Sequence, residues 1–309
     1  MLNGLSFDIE EWYHAELVRQ RVPASSRVSQ VEQATEPILN LLERRGVRAT
    51  FFVLGEIVRD HPTFIRRIHD AGHEIGCHTM THMPLWNMTP ETLRTSLREF
   101  RQILASVSPQ AAASLAGFRA PTFSMMQKTS WALRVLADEG FGYDSSIFPV
   151  ANYAYGLNGG PLVAYRPAEN DLRHHDRSGP MLELPMTVWD PLDKHGSVRL
   201  PISGGFYLRA IPVPLLLCLL KQVASKRPVV LYLHPWECYA ETPRVPGLPL
   251  SGRIITYING GSALAKLDRI LTELEFGPLC AVLAPLLICP PAGASGEARF
   301  SVSTGRRPT

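Results

Sequence analysis

The segment SFDIEEW sets Asp8, Glu10 and Glu11 at the end of a short apolar run. Residues two apart on an extended strand face the same side, so Asp8 and Glu10 point together and Glu11 points away. Carboxylates ending an apolar strand are costly to bury without a cation. A surface turn whose acids cap a helix would carry the same residues. In HEIGCHTMTH, His78 and His82 are four apart, a spacing that puts both on one face of a helical turn within reach of one metal ion. With ten histidines in the chain, one such pair needs support from its surroundings. His69 and His73 repeat the spacing, but Gly72 lies between them and a strand begins at His73, which suits His73 to orienting that turn.

Three further groups stand at strand ends. Arg119, in GFRAPTF, precedes Pro121, which holds the next segment extended, and it can pair with a carboxylate and fix its orientation. Asp144, in YDSSIFP, is placed either to hydrogen-bond a catalytic histidine or to close a turn. His234, in LYLHPWE, directly follows a strongly apolar strand, and Trp236 offers an aromatic wall beside it. One or two carboxylates with two histidines make a site for Zn²⁺ or a similar divalent ion with positions open for water. The remaining carboxylate, histidine and arginine are a base, an acid and an orienting charge for hydrolysis.

The elements that must position these residues alternate. Strand-like runs at 5–9, 49–54, 73–77 and 117–120 are separated by helical patterns at 31–45, 62–71, 90–107 and 130–139. Thr89 is suited to N-cap the third helix with Pro90 at its first position, and Pro37 shortens the regular part of the first. This β-α alternation predicts a parallel sheet with crossover helices, whose sites lie at the carboxyl ends of the strands. Residues 152–205 are rich in Gly, Pro, Asn and Asp and read as loops with short strands. The run 229–233 is the most strand-like in the second half, after a helix around 215–224.

Composition bounds the rest. The 309 residues are 45% hydrophobic and 19% charged, which excludes global disorder. A net charge of +3 does not suggest a nucleic-acid binder. Five cysteines without a CxxC pair make neither a disulfide framework nor a structural zinc site. The apolar stretches 211–220 and 278–291 both hold prolines and fall short of the roughly 20 residues a spanning helix needs. No secretory signal is visible at MLNGLSFDIEEWYH, so a cytoplasmic location is expected, with export or peripheral membrane association left to a missing upstream segment. The tail from Ala292 is small, polar and basic and reads as disordered.

The order of the five motifs resembles that of the polysaccharide deacetylases of the NodB-homology type, carbohydrate esterase family 4. SFDIEEW, HEIGCHTMTH, RAPTF, YDSSIFP and LYLHPWE span roughly residues 5 to 240. The D-I-E-E form, SGGFYLR (203–209) and LHPWE are more similar to the subgroup found with bacterial exopolysaccharide and exosortase loci. The resemblance implies an α/β fold, a distorted (β/α) barrel of about seven strands, over residues 1–275. Residues 276–309 are expected to form an apolar terminal segment and a tail. It implies an N-deacetylase acting on N-acetylated oligo- or polysaccharides. By position, Asp8 is the base, Arg119 orients it, and His234 is the acid. His78, His82 and one acidic residue hold a divalent metal, zinc first, with cobalt, nickel or manganese as alternatives. The Thr122 N–H lies near the oxyanion, and Pro121 and Trp236 border the sugar.

Two departures stand out. Asp8-Ile9-Glu10-Glu11 replaces adjacent aspartates; spacing favours Glu10 as ligand, with Glu11 open if the strand bends. Thr122 takes a place where an aromatic is common. The competing readings are an allantoinase-like hydrolase of a small molecule's C–N bond and a non-catalytic carbohydrate-binding relative. A roomy aromatic groove favours the polymer, and loss of the base, a ligand or the acid would favour the binding protein.

Overall fold

In a computed structural model of the chain, residues 1–150, 155–192 and 198–287 are described. The tail expected to be disordered lies outside them, as do parts of the loop-rich 152–205 region. Seven parallel strands form one curved sheet. They are β1 (Asn3–Ile9), β2 (Thr50–Val53), β3 (Glu74–Cys77), β4 (Gly117–Phe118), β5 (Tyr143–Asp144), β6 (Leu182–Glu183) and β7 (Val230–Leu233), in the spatial order β7-β1-β2-β3-β4-β5-β6. An eighth short strand, β8 (Phe276–Gly277), pairs with the start of β1. The outer strands β6 and β7 do not pair, so the sheet is a half-barrel, as expected for a distorted (β/α) barrel. Loops satisfy the free edge of β7: the Val230 N–H donates to Thr187 Oγ1 at 2.7 Å, and the Tyr232 N–H to the Ser203 carbonyl at 3.0 Å.

All seven residues of β1 are buried, which a central parallel strand covered on both faces requires. The two-residue period sorts its side chains. Leu5, Phe7 and Ile9 join Phe51, Val53, Leu231 and Leu233 in the core beneath the helices. Ser6 and Asp8 face the barrel interior, where Phe52, Tyr143, Val230 and Tyr232 form a second core. The helix Val31–Arg45 runs unbroken through Pro37. The carbonyl this proline leaves without a partner belongs to exposed Gln33, so water can satisfy it. The helix Pro90–Val107 has the expected Thr89 cap, whose hydroxyl accepts from the Thr92 N–H. Helices Gly55–Asp60, Leu250–Tyr257 and Ala263–Glu273 lack a sharp signal in the sequence.

The expected boundary after residue 275 falls inside the packed body. The helix Leu279–Leu287 closes the floor of the half-barrel, with Leu279 and Leu283 fully buried among the interior side chains. Its first turn is pinned at the amino ends of two strands. The Leu279 N–H donates to Thr50 Oγ1 at 2.8 Å, and the Cys280 N–H to Glu74 at 3.2 Å. The half-buried Glu74 carboxyl also accepts from Thr50 and Tyr143, and desolvation raises its pKa. This docking accounts for the apolar character of residues 279–287. No helix among the described residues is long and apolar enough to cross a membrane.

Two outcomes follow from this packing. Leu283→Ala removes a buried side chain from the floor and is expected to lower unfolding free energy by about 3 kcal/mol in urea titration. His73 is buried against Phe51, and its Nδ1 accepts the Ala49 N–H. Burial and then Arg48 push its pKa down to about 4. A depressed histidine pKa means that the unfolded chain takes the proton first. Stability is therefore full above about pH 6.5 and lost as pH falls toward 4, by about 2 kcal/mol at pH 5 from this residue. His73→Asn should flatten that part of the pH–stability curve.

Candidate active site

The carboxyl ends of β1, β3, β4 and β7 converge. Asp8 and Glu10 turn to the same side of the β1 end, as the period requires. Asp8 Oδ1 accepts from Arg119 Nη1 at 2.6 Å. Glu10 Oε2 lies 2.7 Å from His82 Nε2, and Glu10 Oε1 lies 3.5 Å from His234 Nε2. Glu11 points elsewhere: its carboxylate accepts from Ser29 Oγ and from the Gln30 N–H at the start of the helix Val31–Arg45. The strand does not bend enough to bring Glu11 to the histidines, so Glu10 is the acidic group beside them.

His78 and His82 come together, with ring centroids 5.3 Å apart, but not on a helix. Residues 78–84 form a loop. The carbonyls of Thr79 and Met80 accept the Gly55 and Glu56 N–H groups, and the Met80 N–H donates to Ser96. These partners take the groups that a helical turn would use. Thr79 and His82 instead sit at φ of 66° and 54°, a left-handed conformation costly for non-glycine residues and concentrated at functional sites. His78 Nδ1 bonds the Arg119 carbonyl at 2.8 Å, which leaves Nε2 for a ligand. Burial pushes the His78 pKa down to about 4, against the pull of Asp8, so the ring is neutral as a metal ligand must be. Burial also opposes ionisation of Glu10, but His82 and His234 outweigh it and hold the carboxyl far below its ordinary range.

Donor atoms of Glu10, His78 and His82 lie within 4.8 Å of one another, all three residues buried. Glu10 Oε2 and His82 Nδ1 have no well-formed hydrogen bond. A buried carboxylate and two histidines with uncommitted atoms fit one divalent cation.

Arg119 is fully buried and crosses the barrel interior. It donates to Ser6 Oγ, Asp8 Oδ1, the Ser145 carbonyl and Ser145 Oγ, and its guanidinium sits 4.3 Å over the Phe52 ring. Asp144 does not reach a histidine. It accepts from Ser146 and stands opposite Glu183 in the β5–β6 register, with both carboxyls raised by burial. Of the two readings open for Asp144, the structure shows the local, structural one.

The partner of His234 is Glu237. Glu237 Oε2 accepts from the His234 backbone N–H at 3.0 Å and lies 2.9 Å from Nδ1. The other ring nitrogen, Nε2, faces Asp8 Oδ2 at 3.9 Å. Burial disfavours the imidazolium, but Glu10, Glu237 and Asp8 outweigh it and raise the pKa to about 9. Trp236 stacks on His234 with centroids 5.0 Å apart and donates to Glu10 at 3.3 Å. Pro121 is buried, and Thr122 and Phe123 follow it at φ of 55° and 48°. The Thr122 hydroxyl is buried without a partner. Sequence reasoning missed Glu237, although an acid three residues past His234, after a proline, is the spacing of a capping box.

Comparison with known proteins agrees with this arrangement. Residues 24–140 match the family model described as polysaccharide deacetylase, and residues 145–284 match a domain of unknown function, DUF3473. The first match holds His78, His82, Arg119 and Thr122; His234 falls in the second, and Asp8 and Glu10 precede both. A chitooligosaccharide deacetylase of Rhizobium leguminosarum bv. trifolii is 41% identical over 78 residues, 25% of this chain and 36% of that protein. A peptidoglycan-N-acetylglucosamine deacetylase of Bacillus cereus is 37% identical over 70 residues, 23% of this chain and 26% of that protein. These matches span about a third of the curated relatives' length. Among solved structures, a polysaccharide deacetylase from Mycobacterium smegmatis aligns over 96% of this chain and 94% of that one, with TM-score 0.58 and 20% identity. Puue allantoinase aligns over 93% and 90%, with TM-score 0.56 and 16% identity. At such identities the structural likeness establishes the fold. The family match thus places a polysaccharide deacetylase domain over residues 24–140, and the structural likeness agrees with it in fold.

The ligand assignment is checked by zinc titration of the metal-free protein. Glu10→Gln and His78→Ala should weaken binding roughly 100-fold or more, whereas Glu11→Gln should bind as the wild type does.

Proposed function

We propose that this protein is a metal-dependent N-deacetylase of N-acetylated sugars within an oligo- or polysaccharide, in exopolysaccharide or cell-wall metabolism. One observation carries the reading. A buried base, a three-donor cation site and a carboxylate-flanked histidine meet at the carboxyl end of the half-barrel. Glu10, His78 and His82 would hold the ion, zinc first by donor type. When bound, the ion supplies a Lewis acid for the acetamide oxygen and acidifies a water.

The chain's own residues do the rest. Asp8, held by Arg119, takes the proton of the attacking water. The Thr122 N–H contributes a donor for the oxyanion on the former carbonyl. His234 then gives the proton at Nε2 to the departing amine, and Trp236 supplies an apolar face for the sugar ring. A hollow of about 120 Å³ beside Trp236 includes Tyr239, Thr242 and Arg244. Arg244 and Tyr257 also line a larger one of about 630 Å³. The match of residues 24–140 to the polysaccharide deacetylase model supports a sugar substrate over a small ureide. The complete base, ligand and acid set argues against a purely binding relative.

An acetate-release screen over N-acetylglucosamine oligomers and peptidoglycan fragments tests this reading. Zinc-loaded wild type should release acetate. Asp8→Asn and His234→Ala should lower release at least about 100-fold while keeping the metal. Full activity in Asp8→Asn would refute the base assignment.

A further inference from the structure

The SGGFYLR segment lies outside the groups that meet substrate, yet it ends in a fully buried arginine. Arg209 sits in the helix Gly205–Ala210 and places all five of its N–H donors. Nε donates to the Gly205 carbonyl at 3.2 Å. Nη1 donates to the Thr256 and Ile258 carbonyls at 3.0 and 2.9 Å. Nη2 donates to the Ile255 carbonyl and to Glu237 Oε1, both at 2.9 Å. Three of these acceptors belong to the carboxyl end of the helix Leu250–Tyr257 and the residue after it, where carbonyls lack helical partners. Glu237 thus has one oxygen on Arg209 and the other on His234.

Gly205 makes the approach feasible. A Cβ there would come within 2.0 Å of Glu237 Oε2, so any other residue would displace the carboxylate.

We propose that Arg209 and Glu237 are a positioning pair for His234, through which the second half of the chain sets the acid's orientation and tautomer without touching substrate. Glu237 Oε2 faces both the backbone N–H and Nδ1 of His234, so Nδ1 keeps its proton in either charge state of the ring, and Nε2, aimed at Asp8 and Glu10, is the atom that gives and regains the acid's proton. Arg209 holds Glu237 in place while bridging to the three carbonyls, a task for a planar five-donor fork and not for a lysine. In its kinetic consequences the proposal rests on the deacetylase reading; in its structural ones it does not.

The test uses zinc-loaded protein. In ¹⁵N-histidine spectra of the wild type, taken at a pH where the ring is neutral, the resonance assigned by its loss in His234→Gln should report one tautomer, with a low-field proton on Nδ1. Glu237→Gln should abolish that low-field proton. It should also lower kcat for acetate release roughly 10- to 100-fold, with KM little changed. Glu237→Asp, which keeps the charge, should retain more kcat than Glu237→Gln. Arg209→Lys should lower kcat about tenfold, and the Arg209→Lys/Glu237→Gln double variant should be no worse than Glu237→Gln alone, because both act through one ring. A His234 ring that samples both tautomers in the wild type overturns the proposal even if the variants do not fold. So does a folded Glu237→Gln with wild-type kcat. Wild type that releases no acetate while showing the fixed tautomer would refute the deacetylase reading and leave the pair standing.

Discussion

The buried pair between Arg119 and Asp8 is the constraint on which the site depends. Two charges taken out of water in a barrel interior persist only if every donor and lone pair finds a partner. Arg119 meets that condition by bridging β1, the end of β4 and the loop after β5, while Phe52 covers its face. Removing one member of such a pair costs on the order of 3–5 kcal/mol, because the other is left buried and alone. The same contact that fixes Asp8 therefore also ties the strand ends to one another. The Arg119 carbonyl adds a further link by orienting His78.

From that anchor the site reads as alternating sign. Glu237, His234, Glu10 and His82 follow one another at distances of 2.9, 3.5 and 2.7 Å. Each carboxylate steadies a ring, and each ring steadies a carboxylate. Strained backbone at Thr79, His82, Thr122 and Phe123 lies around this row. These residues hold the left-handed conformation because the packed loops leave them no relaxed alternative, which is how strain persists at functional sites.

Much of this was legible in the sequence. The two-residue period separated Asp8 and Glu10 from Glu11 before any coordinates, because a central strand has only two faces. His78 and His82 do come together, but on a loop and not on a helical turn. Four-residue spacing implies a helix only when the backbone groups are free, and here Gly55, Glu56 and Ser96 take them. Asp144 was assigned two roles, and only the fold could show that Glu183 and Ser146, not His234, are its neighbours. Arg209 was invisible as a contributor, since its partner Glu237 is 28 residues away and the helix it supports ends at Tyr257. The terminal apolar segment looked separable because its partners, Thr50 and Glu74, are more than two hundred residues earlier.

The central claim is that one cation is held by Glu10, His78 and His82 beside an Asp8 kept in place by Arg119. Anomalous diffraction at the zinc edge from zinc-soaked crystals tests it most directly. The account predicts a single strong peak bonded to Glu10, His78 Nε2 and His82, with Asp8 still paired to Arg119 and Glu11 still on the Gln30 N–H. A peak bonded to Glu11, or one that lacks either histidine, would contradict it.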